Sequence, residues 1–432
     1  MRPMFKKYVQ GRLEDLVKEY FAKHQDVKLV VVVGAAGKTT TKNAIATVLS
    51  KKIRVRVESG NLNDFLSVPP SLLGVEYPNF AKLRNPFTWY KVFRLMRKVI
   101  NSPSDTDVII QELGTDSPGQ IPHFGEYLRP DLAVVTSVVP EHMEFFGSIE
   151  NVAKEELSVT AFSKETIINR DDIDDKFAEY MLSDRITTYG IHQPAENYFV
   201  VEGEQKVLEG FDGDMILVGL GKIPATVKLI GQHSLKAAIA AGAVGAKLGM
   251  SAVDVSAGVS EIKPVAGRMN LLQGRFSSII IDDTYNSSPN AAIAALKVLY
   301  QVKAPQRFAI LGSMNELGDT SAESHKEVGE FCDPMLIENV VTIGEEAQKY
   351  LAPAAKAKGN RVFSFLNPVE AGAFVAQRMA KDAVILAKGS QNGVFAEEAV
   401  KILLKNAEQE KLLVRQSGYW LNRKQNFFDS LG

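Results

Sequence analysis

The chain has 432 residues, of which 45% are hydrophobic and 23% charged, with a formal net charge of −1. That length exceeds what one core usually holds, so two or three domains are expected, and the near-neutral balance offers no global field to recruit nucleic acid. The single cysteine, Cys332, excludes an internal disulfide framework and suits a reducing cytoplasm.

Residues 1–27 read as a helical extension, charged throughout and without the apolar core of a signal peptide. No apolar run is long enough to span a bilayer, and the chain is read as a cytoplasmic monomer. The run Val30 to Val33 then opens into Gly34-Ala35-Ala36-Gly37-Lys38-Thr39-Thr40-Thr41-Lys42. A buried strand delivering a glycine-framed turn to a helix N-terminus aims backbone N–H groups and a helix dipole at an anion. Lys38 supplies a point charge, and Thr39 or Thr40 can reach a phosphate-bound Mg²⁺. The spacing is the tighter GxxGKTT rather than the usual Walker pattern, which wants a glycine at Val32. The alternative is a plain strand–turn–helix with an incidental lysine; the reading adopted is a nucleoside triphosphate site.

Lys82 to Ile100 carries six basic residues, no acidic one, and Phe87, Trp89, Tyr90, Phe93 and Met96. It reads either as an amphipathic helix in peripheral contact with anionic lipid or anionic substrate, or as a surface helix packing its aromatics inward. Short β-branched runs at 108–110, 132–139 and 166–168 predict a parallel sheet covered on both faces. From Tyr198 to Leu229, alternating runs broken by glycines predict antiparallel hairpins, and 231–248 reads as an alanine-rich helix. Pro264 to Gly274 reads as an interdomain linker. A second βα series follows, with strands near 279–281, 308–311, 340–343 and 384–386; the loops at their C-terminal ends are binding candidates. Cys332 reads as packing.

Further segments resemble one family, the Mur ligases, ATP-dependent amide-bond-forming enzymes of cell-wall synthesis, and within it the MurF type. The similarity runs from about Leu29 to Leu404. Gly34 to Lys42 is similar to the GxxGKTTTK loop, Gly60-Asn61-Leu62-Asn63 through Val68-Pro69 to GNLNxxxGVP, and Glu112-Leu113-Gly114 with Pro118-Gly119-Gln120-Ile121 to ELG…PGEI. Thr136 to Gly147, Asn169-Arg170-Asp171-Asp172, Gly267-Arg268, Asp282 to Asn286 with Pro289, Leu311 to Gly318 with His325, and Lys388-Gly389-Ser390 resemble further blocks in the same order. The resemblance implies an α/β fold: a P-loop-type parallel-sheet ATPase domain (28–267) with a small antiparallel β excursion, then a Rossmann-like C-terminal domain (268–432).

It further implies ATP and Mg²⁺, with Lys38, Glu112, His142 and Glu156 catalytic. Gly34, Gly37, Lys38, Thr39, Thr40, His233, Arg268, Asp283 and Asn286 would face the nucleotide. Thr39, Thr40, Glu112, His142 and Glu156 would serve the metal, and Asn61, Asn63, Asn315, Lys388, Gly389 and Ser390 the substrates. Three departures stand out. Glu156 occupies the place, fourteen after His142, of a lysine carbamylated in the family, with Lys154 as a slipped-register option. GxHNxxN appears as Gly231-Gln232-His233-Ser234-Leu235-Lys236-Ala237, without either asparagine. Only 27 residues precede the first strand, too few for the domain that grips the UDP-sugar in the MurF type.

The leading expectation is an ATP-dependent carboxylate–amine ligase working through an acyl phosphate, on a peptide or nucleotide-sugar peptide and an amino acid or dipeptide. The alternatives are a ligase extending another polymer, of poly-glutamate, cyanophycin or folyl-polyglutamate type, and a nucleotide-binding scaffold that has lost activity.

Overall fold

A computed structural model describes residues 3–58, 60, 62–78, 82–203 and 207–431. These fall into two compact units: one of residues 3–203, Phe211–Lys228 and Ser234–Ile262, the other of 207–210, Leu229–His233 and Lys263 onward.

In the first unit nine strands form one sheet: β1 (Lys28–Val33), β2 (Val55–Val57), β3 (Val108–Glu112), β4 (Leu132–Val135), β5 (Glu165–Asn169), β6 (Ile186–Gly190), β7 (Asn197–Val201), β8 (Phe211–Leu217) and β9 (Gly221–Val227). Their spatial order is β2-β3-β1-β4-β5-β6-β7-β8-β9. The β1 run is apolar because it lies between β3 and β4 with helices covering the sheet, so residues 29 to 33 are all buried. Pairing is parallel as far as β7, and only β7-β8-β9 are antiparallel. The glycine-broken segment therefore extends the main sheet as its last strands. The N-terminal helix Pro3–Lys23 buries Val9, Leu13, Leu16, Val17 and Tyr20 in the same core as Leu29, Val31 and Val33. Its apolar residues recur at helical spacing, so one stripe faces the core.

The second unit holds β10 (Asn270–Gln273), β11 (Ile279–Asp283), β12 (Arg307–Gly312), β13 (Asn339–Ile343), β14 (Val362–Phe365) and β15 (Val384–Lys388), in the order β10-β11-β15-β12-β13-β14. All neighbours are parallel except β10 and β11. Side chains alternate across this sheet: Ile281, Ala309 and Leu386 enter one core, Ile280, Phe308, Ile310 and Ile385 the other. The segment expected to be linker ends in β10, whose four residues pair with β11 and whose Leu272 is buried. So short a run, flanked by Pro264 and Gly274, carries too little periodicity to announce an edge strand. Cys332 is buried behind the helix Ser321–Phe331, and burial pushes its thiol up to about 12, which agrees with packing. Among the described residues no helix is long and apolar enough to cross a membrane.

Candidate active site

The sheet register sets the cluster in the first unit. β1 ends at Val33, and Gly34 follows with φ +126°, a conformation open to glycine. A Cβ there would stand 2.3 Å from Thr136 Oγ1 and 2.8 Å from the Ser137 nitrogen. Thr136 and Ser137 leave the neighbouring strand β4 and lace the loop: Thr136 Oγ1 donates to the Ala36 carbonyl at 2.6 Å, and Ala36 N–H donates to Ser137 Oγ at 2.7 Å. Gly37, also left-handed, caps the helix Lys38–Leu49. The Lys38 ammonium donates to the Gly34 carbonyl and lies 3.8 Å from Glu141 Oε2.

β3 is paired with β1 so that Glu112 lies opposite Val32, one strand from the loop. Its Oε2 accepts the Thr39 hydroxyl at 2.9 Å and its Oε1 accepts Asn63 Nδ2 at 3.3 Å. Thr39 is thus the hydroxyl that meets this carboxylate; Thr40 is half-buried beside it. Asn63, expected on substrate, is placed against Glu112 by this bond. Asn61 lies outside the described residues.

Glu156 is fully buried on the helix Ile149–Leu157 and accepts the Gly34 N–H at 2.8 Å. Burial raises its carboxyl to about 7; Lys38 draws it down and Glu141 pushes it up. Lys154, two residues earlier, is exposed with its ammonium 5.2 Å from the Tyr180 ring centre. The helix therefore turns Glu156, not Lys154, to the phosphate loop. His142 has φ +50° and its Nε2 stands 3.9 Å from Glu141 Oε1. Glu112 and Glu156 flank the loop, but the described residues contain no group of three His, Cys, Asp or Glu close enough together to hold a metal by themselves.

The second unit carries a cluster of its own at the C-terminal ends of β11, β12 and β15. Register places Asp283 opposite Lys388, and Lys388 Nζ donates to Asp283 Oδ2 at 2.6 Å and to the Asn286 carbonyl at 3.0 Å. Met269 N–H donates to Asp283 Oδ1 at 3.1 Å. The Arg268 guanidinium lies over the Tyr285 ring, 4.1 Å from its centre. Asn315 N–H donates to Ser390 Oγ at 3.0 Å, and Asn315 Nδ2 to the Gln391 carbonyl at 2.6 Å. Gly389 is close to Gly312, where a Cβ would come 3.3 Å from that Cα. His233 belongs to this unit and its ring fills the space that a Cβ on Gly231 would need. His325, within a block used for the resemblance, is a brace: its Nε2 accepts the Met314 N–H at 2.9 Å, so its Nδ1 carries the proton and donates to the Ser321 carbonyl at 2.8 Å.

Residues 32–245 match the Mur ligase middle domain, and residues 267–391 match the domain described as Mur ligase, glutamate ligase domain. The chain belongs to the Mur ligase family. Membership makes it an ATP-dependent ligase that forms a carbon–nitrogen bond. A curated relative, the UDP-N-acetylmuramoyl-tripeptide–D-alanyl-D-alanine ligase of Bacillus subtilis (strain 168), is 27% identical over 401 residues, covering 91% of this chain and 79% of that protein. MurF from Acinetobacter baumannii superposes with a TM-score of 0.74 at 22% identity, over 91% of this chain and 80% of that one. MurF from Thermotoga maritima, solved in complex with ADP, superposes with a TM-score of 0.71 at 22% identity, over 93% and 84%. At that identity the two structures speak for the fold.

Several residues of this Mur ligase stayed hidden in the sequence. Lys42 is 1% exposed and stands 3.4 Å from Glu58, 3.9 Å from Glu112 and within hydrogen-bond reach of the Gly60 carbonyl. In the sequence it stands only as the last letter of the Gly34 to Lys42 motif. Lys236, beside the missing asparagines, bonds both oxygens of Asp172 at 2.8 and 2.9 Å. Arg415 donates to the Thr284 and Tyr285 carbonyls at 2.6 and 2.9 Å while pairing with buried Glu397. Residue 415 lies beyond the matched span, and no local pattern marks it.

Proposed function

We propose that this Mur ligase performs the MurF-type reaction of cell-wall peptide synthesis: it activates the terminal carboxylate of a UDP-N-acetylmuramoyl-tripeptide with ATP and joins it to D-alanyl-D-alanine. A carboxylate oxygen attacks the γ-phosphorus and ADP leaves. The amine nitrogen then attacks the acyl carbon, phosphate departs, and the nitrogen gives up a proton. The observation that carries this reading is the intact phosphate loop with Glu112 on Thr39, in a chain whose named relatives bear that activity. Gly34 to Lys38 would cradle the phosphates through backbone N–H groups and the Lys38 charge. Asp283, Asn286, Arg268 and His233 would meet the nucleotide from the second unit, and Lys388, Gly389, Ser390 and Asn315 the incoming amine.

Mg²⁺ is part of the proposal. The oxygen donors fit it: Thr39 and Glu112 already share a hydrogen bond beside the loop, and Mg²⁺ is usually held by one or two protein oxygens plus phosphates and water. Thr39 and Glu112 would hold it, with Glu156 and His142 nearby. The ion would neutralise charge on the transferring phosphoryl oxygens. Glu156 already presents a carboxylate where the family modifies a lysine. The reading extends to a cytoplasmic monomer acting on small molecules without nucleic acid, in keeping with the net charge of −1.

The test is phosphate release from Mg-ATP with D-alanyl-D-alanine and UDP-N-acetylmuramoyl-tripeptide. Release that needs both substrates and falls at least ~100-fold in Lys38→Ala supports the reading. Release with another peptidyl carboxylate alone would move the acyl donor. Nucleotide binding without release across a panel of acids and amines would favour the scaffold.

A further inference from the structure

We propose that the outward face of the helix Pro86–Ile100 seats this protein on an anionic lipid surface. The helix is firmly placed. Asn85 Oδ1 accepts the Phe87 N–H at 3.0 Å, Pro86 begins the first turn, and Trp89 Nε1 donates to the Leu83 carbonyl at 2.9 Å. Trp89, Val92, Met96 and Ile100 form a stripe buried in the core of the first unit. That anchoring leaves the opposite stripe facing water at helical spacing: Phe87, Tyr90, Lys91, Arg94, Arg97 and Lys98.

Two features of this stripe go together. Phe87 is 82% and Tyr90 68% exposed, so both rings stand clear of the protein at the N-terminal end. All six cations from Lys82 to Lys98 are exposed, no carboxylate interrupts them, and none forms an ion pair with another described residue. Near the C-terminal end of the helix, Glu76 and Asp105 line a cavity with Lys98, and Asp105 is engaged by Arg56 at 2.9 Å. The N-terminal helix is tied to the same end through Lys23 to Asn101 and His24 to the Ile100 carbonyl. Its own first turns expose Met4, Lys6, Lys7 and Tyr8.

Cations beside projecting aromatics on an anchored helix suit the boundary of an anionic bilayer. There each Lys or Arg near the surface adds its own electrostatic attraction, and the rings enter the headgroup layer. A single nucleic-acid strand is instead bound in a basic groove with stacking platforms, and this face is the convex side of a helix. Attraction of this kind is reversible and screened by salt.

Flotation with phosphatidylglycerol-rich vesicles and with pure phosphatidylcholine vesicles tests the proposal. The full chain should float with the first, not with the second, and detach as salt rises. Lys91→Glu/Arg94→Glu should weaken binding at least tenfold, and Phe87→Ser/Tyr90→Ser severalfold, with melting temperature and phosphate release retained. Phe87→Trp should show a vesicle-dependent blue shift beyond that of the parent protein. No flotation with either vesicle overturns the proposal, as does flotation indifferent to charge reversal. Tighter binding to a polyuridylate strand would assign the face to nucleic acid, and concentration-dependent dimerisation abolished by the same variants would assign it to a second copy. The phosphate-release assay stands apart from all these readouts, so failure of one proposal leaves the other decided on its own data.

Discussion

Glu156 holds the phosphate loop directly: its Oε2 accepts the Gly34 N–H at 2.8 Å from a helix more than a hundred residues away in sequence. The same carboxyl is fully buried and raised to about 7, so cation binding beside it would draw off its proton. Glu156→Gln keeps an acceptor for Gly34 and removes the charge. The half-saturating Mg²⁺ concentration for phosphate release should rise at least tenfold, at little cost to the melting temperature. An unchanged Mg²⁺ titration would remove Glu156 from the metal site.

Gly34 itself admits no side chain. At φ +126°, with Thr136 Oγ1 2.3 Å from where a Cβ would stand, Gly34→Ala must shift the loop or its lacing. The expected cost is about 1–3 kcal/mol of stability, together with at least a tenfold loss of ATP affinity by calorimetry. Tight nucleotide binding by the variant would show that the loop is not the cradle.

A pH dependence follows from Asp282 in the second unit. Burial raises it to about 7, against which the Thr284 hydroxyl, 2.6 Å away, pulls down. The unfolded chain ionises this group near its ordinary 3.8, so between there and 7 the folded state binds the extra proton. Its contribution is full at the acid end and is lost as pH rises, by on the order of 4 kcal/mol. Glu156 acts in the same direction. Urea melts at pH 5 and pH 7.5 should show a difference that shrinks in Asp282→Asn; an undiminished difference would exclude Asp282 as its source.

The C-terminal segment carries its own test. Glu397 is fully buried and pairs with Arg415 at 2.7 Å and Lys424 at 2.9 Å. Glu397→Ala takes from Arg415 its carboxylate partner and leaves Lys424 with Glu398 alone, at 2.6 Å, and should cost about 3–5 kcal/mol. Adding Lys424→Met should recover part of that loss; strict additivity in the double-mutant cycle would mean that the two residues do not interact.

What was legible in the sequence was local. Four consecutive valines before a glycine turn specify a buried parallel strand and the loop it delivers, and the structure has both. The second βα series could be read for the same reason. Contacts that close the site are long-range. Nothing near Lys236 signals Asp172, and nothing near Arg415 signals Thr284, because their partners arrive by strand order and helix packing. Asn63 shows the limit within a motif: a family pattern gave the position, and only the register of β3 showed that it bonds Glu112. In the helix Pro86–Ile100 the sequence does not separate the aromatics by face: Trp89 and Met96 turn inward while Phe87 and Tyr90 turn out.

The pairing of Asp283 with Lys388 ties together two loops assigned to different substrates. Any change at Lys388 made to admit a new amine would release the half-buried Asp283 carboxylate from this ion pair, on the loop that the proposed function assigns to ATP. On the proposed assignments, acceptor preference and nucleotide affinity would be inherited together. On those assignments, a variant selected for a new acceptor would need a second change at Asp283 to regain its hold on ATP.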